Sequence, residues 1–205
     1  MSNLFHDSQA DRSKRLLFQT AKTMRRPERV RRTTVRRLAE LSDQGVEWKQ
    51  PAALRMDYEL RDGDEVAATL RFKSSFGTLA TAESADGCWT FKRVGFFHTR
   101  VTIRTCNEEN EIAVFKNNTW SGGGTLELPD GRRILATTNF WQTQLDFRTE
   151  SGQTIVQLKS GGVFHLSATV DIDRDGFKMG EPWIVILGWY LIVMMHMDAG
   201  AAAAT

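Results

Sequence analysis

The chain has 205 residues, 41% of them hydrophobic, enough for one full-sized domain with an appended segment. Its formal net charge of +2 hides an asymmetry: +6 over residues 1–49 against −4 over the rest. Two cysteines exclude a disulfide-built mini-domain, and the opening "MSNLFHDSQADRSKR" shows no apolar leader core, so a reducing, cytoplasmic compartment is expected.

Residues 1–50 read as a basic arm, partly helical or disordered. Pro27 suits a first helical position, and Val30, Val35, Leu38 and Leu41 give a thin apolar stripe, so a short helix is predicted over 27–41, stopped by Gly45. Arg25, Arg26, Arg29, Arg31, Arg32, Arg36 and Arg37 are the densest charge in the protein and the candidate contacts for anionic lipid headgroups.

From about residue 54 the period changes to two. Leu54, Met56, Tyr58 and Leu60 alternate with Arg55, Asp57, Glu59 and Arg61. Val66, Ala68, Leu70 and Phe72 repeat the pattern, as do Phe97, Thr99, Val101 and Ile103, then Trp141, Thr143, Leu145 and Phe147, then Phe164, Leu166, Ala168 and Val170. "RDGDE", "SADGC", "CNEEN", "LPDGRR" and "TESGQ" punctuate these runs as hairpin turns. Ten to twelve antiparallel strands are predicted over 53–172, in a sandwich or barrel of consecutive hairpins occupying residues 51–200. Cys88 and Cys106 fall in strand-like runs and read as free thiols packed like small hydrophobes.

Then comes "EPWIVILGWYLIVMMHMDAG". At about 1.5 Å per residue, residues 183–197 as a helix span roughly 22 Å, short of the ~30 Å hydrocarbon core of a bilayer. A helix apolar on every side must be buried on every side, and a barrel of about a dozen strands has a bore too wide for its own side chains to fill. A central helix over 182–198 is therefore predicted, with Asp198 and Gly200 closing its far end and His196 marking where burial stops. A C-terminal tail anchor is the rival reading.

A ladder of antiparallel hairpins followed by this wholly hydrophobic helix resembles the tubby C-terminal-like superfamily, which includes the tubby domain, the phospholipid scramblases and the plant LURP-one-related proteins. The likeness covers residues 53–198 and is architectural; its nearest local match is "DIDRDGFKMGEPWIVILGWYLIVMMHMD", since scramblases also place an aspartate-containing calcium segment before a terminal hydrophobic helix. It implies a twelve-stranded barrel around a helix, non-enzymatic behaviour and association with lipid or membrane.

The chemical candidates are few. Asp171, Asp173 and Asp175, with Gly176, have the spacing of the first half of a calcium loop, but the twelfth position is Pro182 rather than an acid, so an acidic turn is the expected reading. His6, His98, His165 and His196 share no metal-ligand spacing. "WSGGGTLEL" lacks the Lys-Ser/Thr ending of a phosphate loop and reads as a bend. No nucleophile motif is present, so no catalytic residue, metal or cofactor is assigned. Trp89, Phe91, Phe96, Phe97, Trp120, Phe140 and Trp141, at strand period, are expected to be core or cross-strand pairs rather than base-stacking platforms.

The expected function is peripheral association with anionic phospholipid or a membrane surface. A protein-interaction scaffold is the first alternative and a tail-anchored, scramblase-like role the second; nucleic acid ranks last.

Overall fold

The computed structural model describes residues 36–52, 55–95, 99–118, 123–162 and 165–203. Alternating sequence and Gly-containing turns produce a meander of strands: β1 (Val46–Lys49), β2 (Asp57–Asp62), β3 (Glu65–Phe72), β4 (Leu79–Ser84), β5 (Gly87–Val94) and β6 (Arg100–Thr105). It continues through β7 (Glu111–Asn117), β8 (Gly124–Glu127), β9 (Arg133–Thr138), β10 (Gln144–Thr149), β11 (Thr154–Gly161) and β12 (Ser167–Ile172). Each strand pairs antiparallel with its neighbours in sequence, and β1 closes the ring on β12 through Val46↔Val170 and Trp48↔Ala168. The result is a closed twelve-stranded antiparallel barrel, as expected from the alternation.

Two helices follow: α1 (Arg174–Met179) and α2 (Ile184–Ala203). In α2 every residue from Ile184 to Met194 is buried. It fills the bore, as its all-round hydrophobicity requires. Trp189 stacks on Trp48 of β1, with centroids 5.6 Å apart, and meets the edge of Tyr58 at 5.3 Å. Tyr190 stacks against both Phe72 and Phe91, each at 5.6 Å. On another side Gly188 lets α2 approach the wall, since a Cβ there would lie 2.7 Å from Leu158 and 3.1 Å from Phe147.

The helix runs further than predicted, to Ala203 rather than 198. Alanine propagates a helix best of all residues, so Asp198 and Gly200 do not end it. By length and composition α2 could cross a membrane, but 61% of its most apolar window lies inside the barrel.

The meander gives the barrel two distinct ends. The β2–β3, β4–β5, β6–β7, β8–β9 and β10–β11 turns share the lower end with α1 and the start of α2; the remaining hairpin loops and the exit of α2 share the upper end.

The chain at 36–45 closes the lower end; of the helix predicted over 27–41, residues 27–35 lie outside the described residues, and 36–41 do not form an α-helix. Arg37 is extended, Leu38–Glu40 make a single 3-10 turn, and Leu38 and Leu41 are buried in the core. Two turn carboxylates hold this strap. Asp86 accepts from the Leu38 amide at 2.6 Å, and Asp62 accepts from the amide and hydroxyl of Ser42 at 2.9 and 3.1 Å and pairs with Arg36. The barrel thus begins at Val46, inside the stretch read as arm.

Burial pushes the Asp62 carboxyl up, but the hydrogen bonds from Ser42 and Arg36 outweigh it and hold the group below the usual carboxylate range. A depressed pKa contributes stability fully above the unfolded-state value, about 3.9, and loses it as pH falls through the folded-state value. Asp62→Asn should cost about 1–3 kcal/mol at neutral pH. In thermal melts stepped down in pH, the gap to the wild type should close below about pH 4, in the window where the wild-type carboxylate protonates.

Candidate interaction surface

The bore is occupied, so the candidate site must lie outside it. Four large hydrophobic side chains stand exposed among the described residues, and three are at the upper end: Phe76 (97%), Phe140 (88%) and Trp141 (77%). Phe76 tips the β3–β4 loop, where Lys73 N donates to Leu79 O and Gly77 N to Ser74 O. Phe140 and Trp141 tip the β9–β10 loop. There the Asn139 side chain accepts from the amides of Thr143 and Gln144 at 2.8 and 3.1 Å, while its amide group donates to the Thr143 hydroxyl. Gln142 takes φ +55°, so this loop is built to turn with both rings outward, where they meet edge to face at 5.1 Å.

The two hairpins lie half a ring apart in strand order, and α2 leaves the bore at the same end. Tyr190 ties the helix to the rim: its hydroxyl donates to Thr78 O at 2.6 Å and accepts from Arg93 N at 2.9 Å. Burial pushes the Tyr190 hydroxyl pKa up, so the phenol is neutral at any physiological pH. Arg93 grips Asp198 bidentately at 2.5 and 2.8 Å, one turn beyond the buried part of α2.

Charge divides along the barrel. At the upper end Arg55, Lys73, Lys92 and Arg100 are exposed and enter no ion pair among the described residues, while Lys49 and Lys116 pair with Glu47 and Glu127. At the lower end most cations are paired: Arg36 with Asp62 and Glu65, Arg132 with Asp130 and Glu181, Arg133 with Glu150, Arg174 with Asp43, Lys178 with Asp175, leaving the exposed Arg37 without an ion pair among the described residues. Asp64, Glu108 and Glu109 are exposed there in addition. A groove of about 320 Å³ at this end, between Leu41, Ile172, Phe177 and Pro182, offers only those same paired cations, Arg174 and Lys178.

Of the seven arginines singled out in sequence, Arg25, Arg26, Arg29, Arg31 and Arg32 lie outside the described residues. Arg36 is committed to the strap, and Arg37 is exposed beside it. The three aspartates of "DIDRDG" do not converge. Asp171 pairs with Lys159 at 3.0 Å, Asp173 caps α1 through the Gly176 amide at 2.7 Å, and Asp175 pairs with Lys178. Among the described residues no three His, Cys, Asp or Glu side chains group to hold a metal ion. The acidic segment is a helix start rather than a plain turn. Gly176 is needed there, since a Cβ would sit 1.9 Å from the Thr154 carbonyl.

Three expectations are corrected. Cys88 and Cys106 are not free thiols but a disulfide across the β5–β6 hairpin, with Cα atoms 5.3 Å apart. Trp141 and Thr143 belong to the turn before β10, not to a strand. Phe140 and Trp141 are accordingly not core residues, while Trp89 and Phe91 are. Phe96, Phe97, His98, Trp120 and Phe164 lie outside the described residues.

Sequence reasoning passed over Phe76 and the four rim cations that have no ion pair among the described residues. The available signal was an aromatic flanked by turn formers in "KSSFGT" and an aromatic pair in "NFWQ". No family model, no curated protein and no solved structure matches this chain.

Proposed function

We propose that this protein is a non-catalytic β-barrel that associates peripherally with anionic phospholipid membranes. The observation that carries the reading is the charge division: Arg55, Lys73, Lys92 and Arg100 at one end enter no ion pair among the described residues, and exposed carboxylates gather at the other. An anionic surface attracts the first end and repels the second, so attraction also orients the molecule. Each basic residue near such a surface contributes about 1 kcal/mol. Arg25, Arg26, Arg29, Arg31 and Arg32 add positive charge to the chain as a whole and are assigned to neither end. The filled bore supports an outward-facing role, and a barrel around a helix is what the resemblance to the tubby-like superfamily implies.

Vesicle flotation tests it. The intact protein should float with phosphatidylserine-containing vesicles and stay behind with phosphatidylcholine alone. Arg55→Glu/Lys73→Glu/Arg100→Glu should lose most of the binding. A chain lacking residues 1–35 should retain part of it; a deletion reaching residue 49 would remove the strap and β1 and unfold the barrel. Equal recovery with both lipids would refute the reading.

A further inference from the structure

Charge alone would let any polyanion meet the upper end, but its aromatic tips narrow the partner. Phe76, Phe140 and Trp141 are held away from the barrel by loop hydrogen bonds, on two hairpins half a ring apart. Beyond the Arg93–Asp198 grip, α2 continues through the small, uncharged, exposed residues Ala199 to Ala203. Aromatic rings next to cations, around a small apolar helix end, match the lipid–water boundary, where rings sit at headgroup depth and cations meet phosphates.

We propose that the upper end is a bilayer-insertion face. Phe76, Phe140 and Trp141 enter the interfacial zone of an anionic leaflet, and Arg55, Lys73, Lys92 and Arg100 contact its phosphates. The barrel stands on this end, with the acidic end turned to water. The proposal rests on the membrane reading above and adds to it an orientation, an apolar contribution and named residues.

The test uses the full chain with vesicles of equal phosphatidylserine and phosphatidylcholine, at about 0.1 M salt and at about 1 M, where the screening length falls to about 3 Å. The wild type should keep measurable binding at high salt. Brominated lipid should quench its tryptophan emission more than that of Trp141→Ser. Phe76→Ser/Phe140→Ser/Trp141→Ser should bind at least about tenfold more weakly, a loss of about 1.4 kcal/mol, and keep no high-salt remainder. Because all three side chains are exposed, its melting temperature should be unchanged.

Wild-type affinity in the triple variant would overturn the insertion face and leave the membrane reading standing. No binding of the wild type to anionic vesicles would overturn both. A change in oligomeric state with vesicle binding intact would make a second copy of the chain the occupant, and overturn the face.

Discussion

Ile186→Asp should yield no folded protein. Ile186 is fully buried in the first turn of α2, where the wall of the barrel surrounds the helix. An unpaired carboxylate there cannot reach water, and its desolvation costs several kcal/mol, a large part of the ~5–15 kcal/mol that stabilises a domain of ordinary size. Protonating the group would spare the charge but still leave a polar group without a partner. Ile186→Val, which removes one methylene, should cost only about 0.5–1.5 kcal/mol and keep the fold. Circular dichroism and soluble yield separate the two. If Ile186→Asp melted like the wild type, the helix would not be the core of the barrel. Were α2 a bilayer anchor instead, the same change would release a folded protein from membranes.

Trp189→Ala comes second, at about 3–5 kcal/mol. Trp189 is fully buried, parallel to Trp48 and edge-on to Tyr58, so truncation opens a cavity between α2, β1 and β2. Closed barrels relax poorly around such a void, because no strand can move inward without breaking two ladders. The indole N–H groups of Trp48 and Trp189 have no hydrogen-bond partner, so Trp189→Phe forfeits packing alone and should cost much less. Urea unfolding should show the midpoint fall with the slope unchanged, and Tm should drop by roughly 10 °C for the alanine variant. A midpoint unmoved by Trp189→Ala would mean that the stacked ring does not hold the barrel on its core.

Most of the architecture was legible because it rests on two strong periodicities. Leu60, Leu70, Phe91, Ile103 and Phe147 all face the bore as their alternation requires. The helix was legible because apolar groups on every side admit one solution inside a wide barrel. The pattern failed where something other than burial decides. Trp141 and Thr143 keep the alternation of β10, but Asn139 folds them into a turn. Asp146 and Thr102 sit on the outer face yet are buried, because longer neighbours cover them; Gln144 and Gln157 reach across to Asp146.

The disulfide needed a register, since Cys88 faces Cys106 only because Trp89 pairs with Thr105. The strap at 36–45 left almost no local signal: its two leucines are three residues apart, and the carboxylates that hold them lie in remote turns. The rim was unreadable for a related reason. Lys49 and Arg55 look alike in sequence, and only the fold shows that the first has a carboxylate partner.

The order of segments along the chain bears on how the molecule is made. All twelve strands precede α2, and the ring closes between β1 and β12, 124 residues apart at Val46↔Val170. During synthesis, therefore, the wall emerges before the piece it must enclose. A partial chain ending after β12 would have every apolar face prepared and nothing to cover it. Productive closure has to wait for Ile184–Met194, and contacts of such long range form slowly. Until then the nascent strands present their edges and oily faces together, which makes this interval the one in which a holding chaperone would matter most.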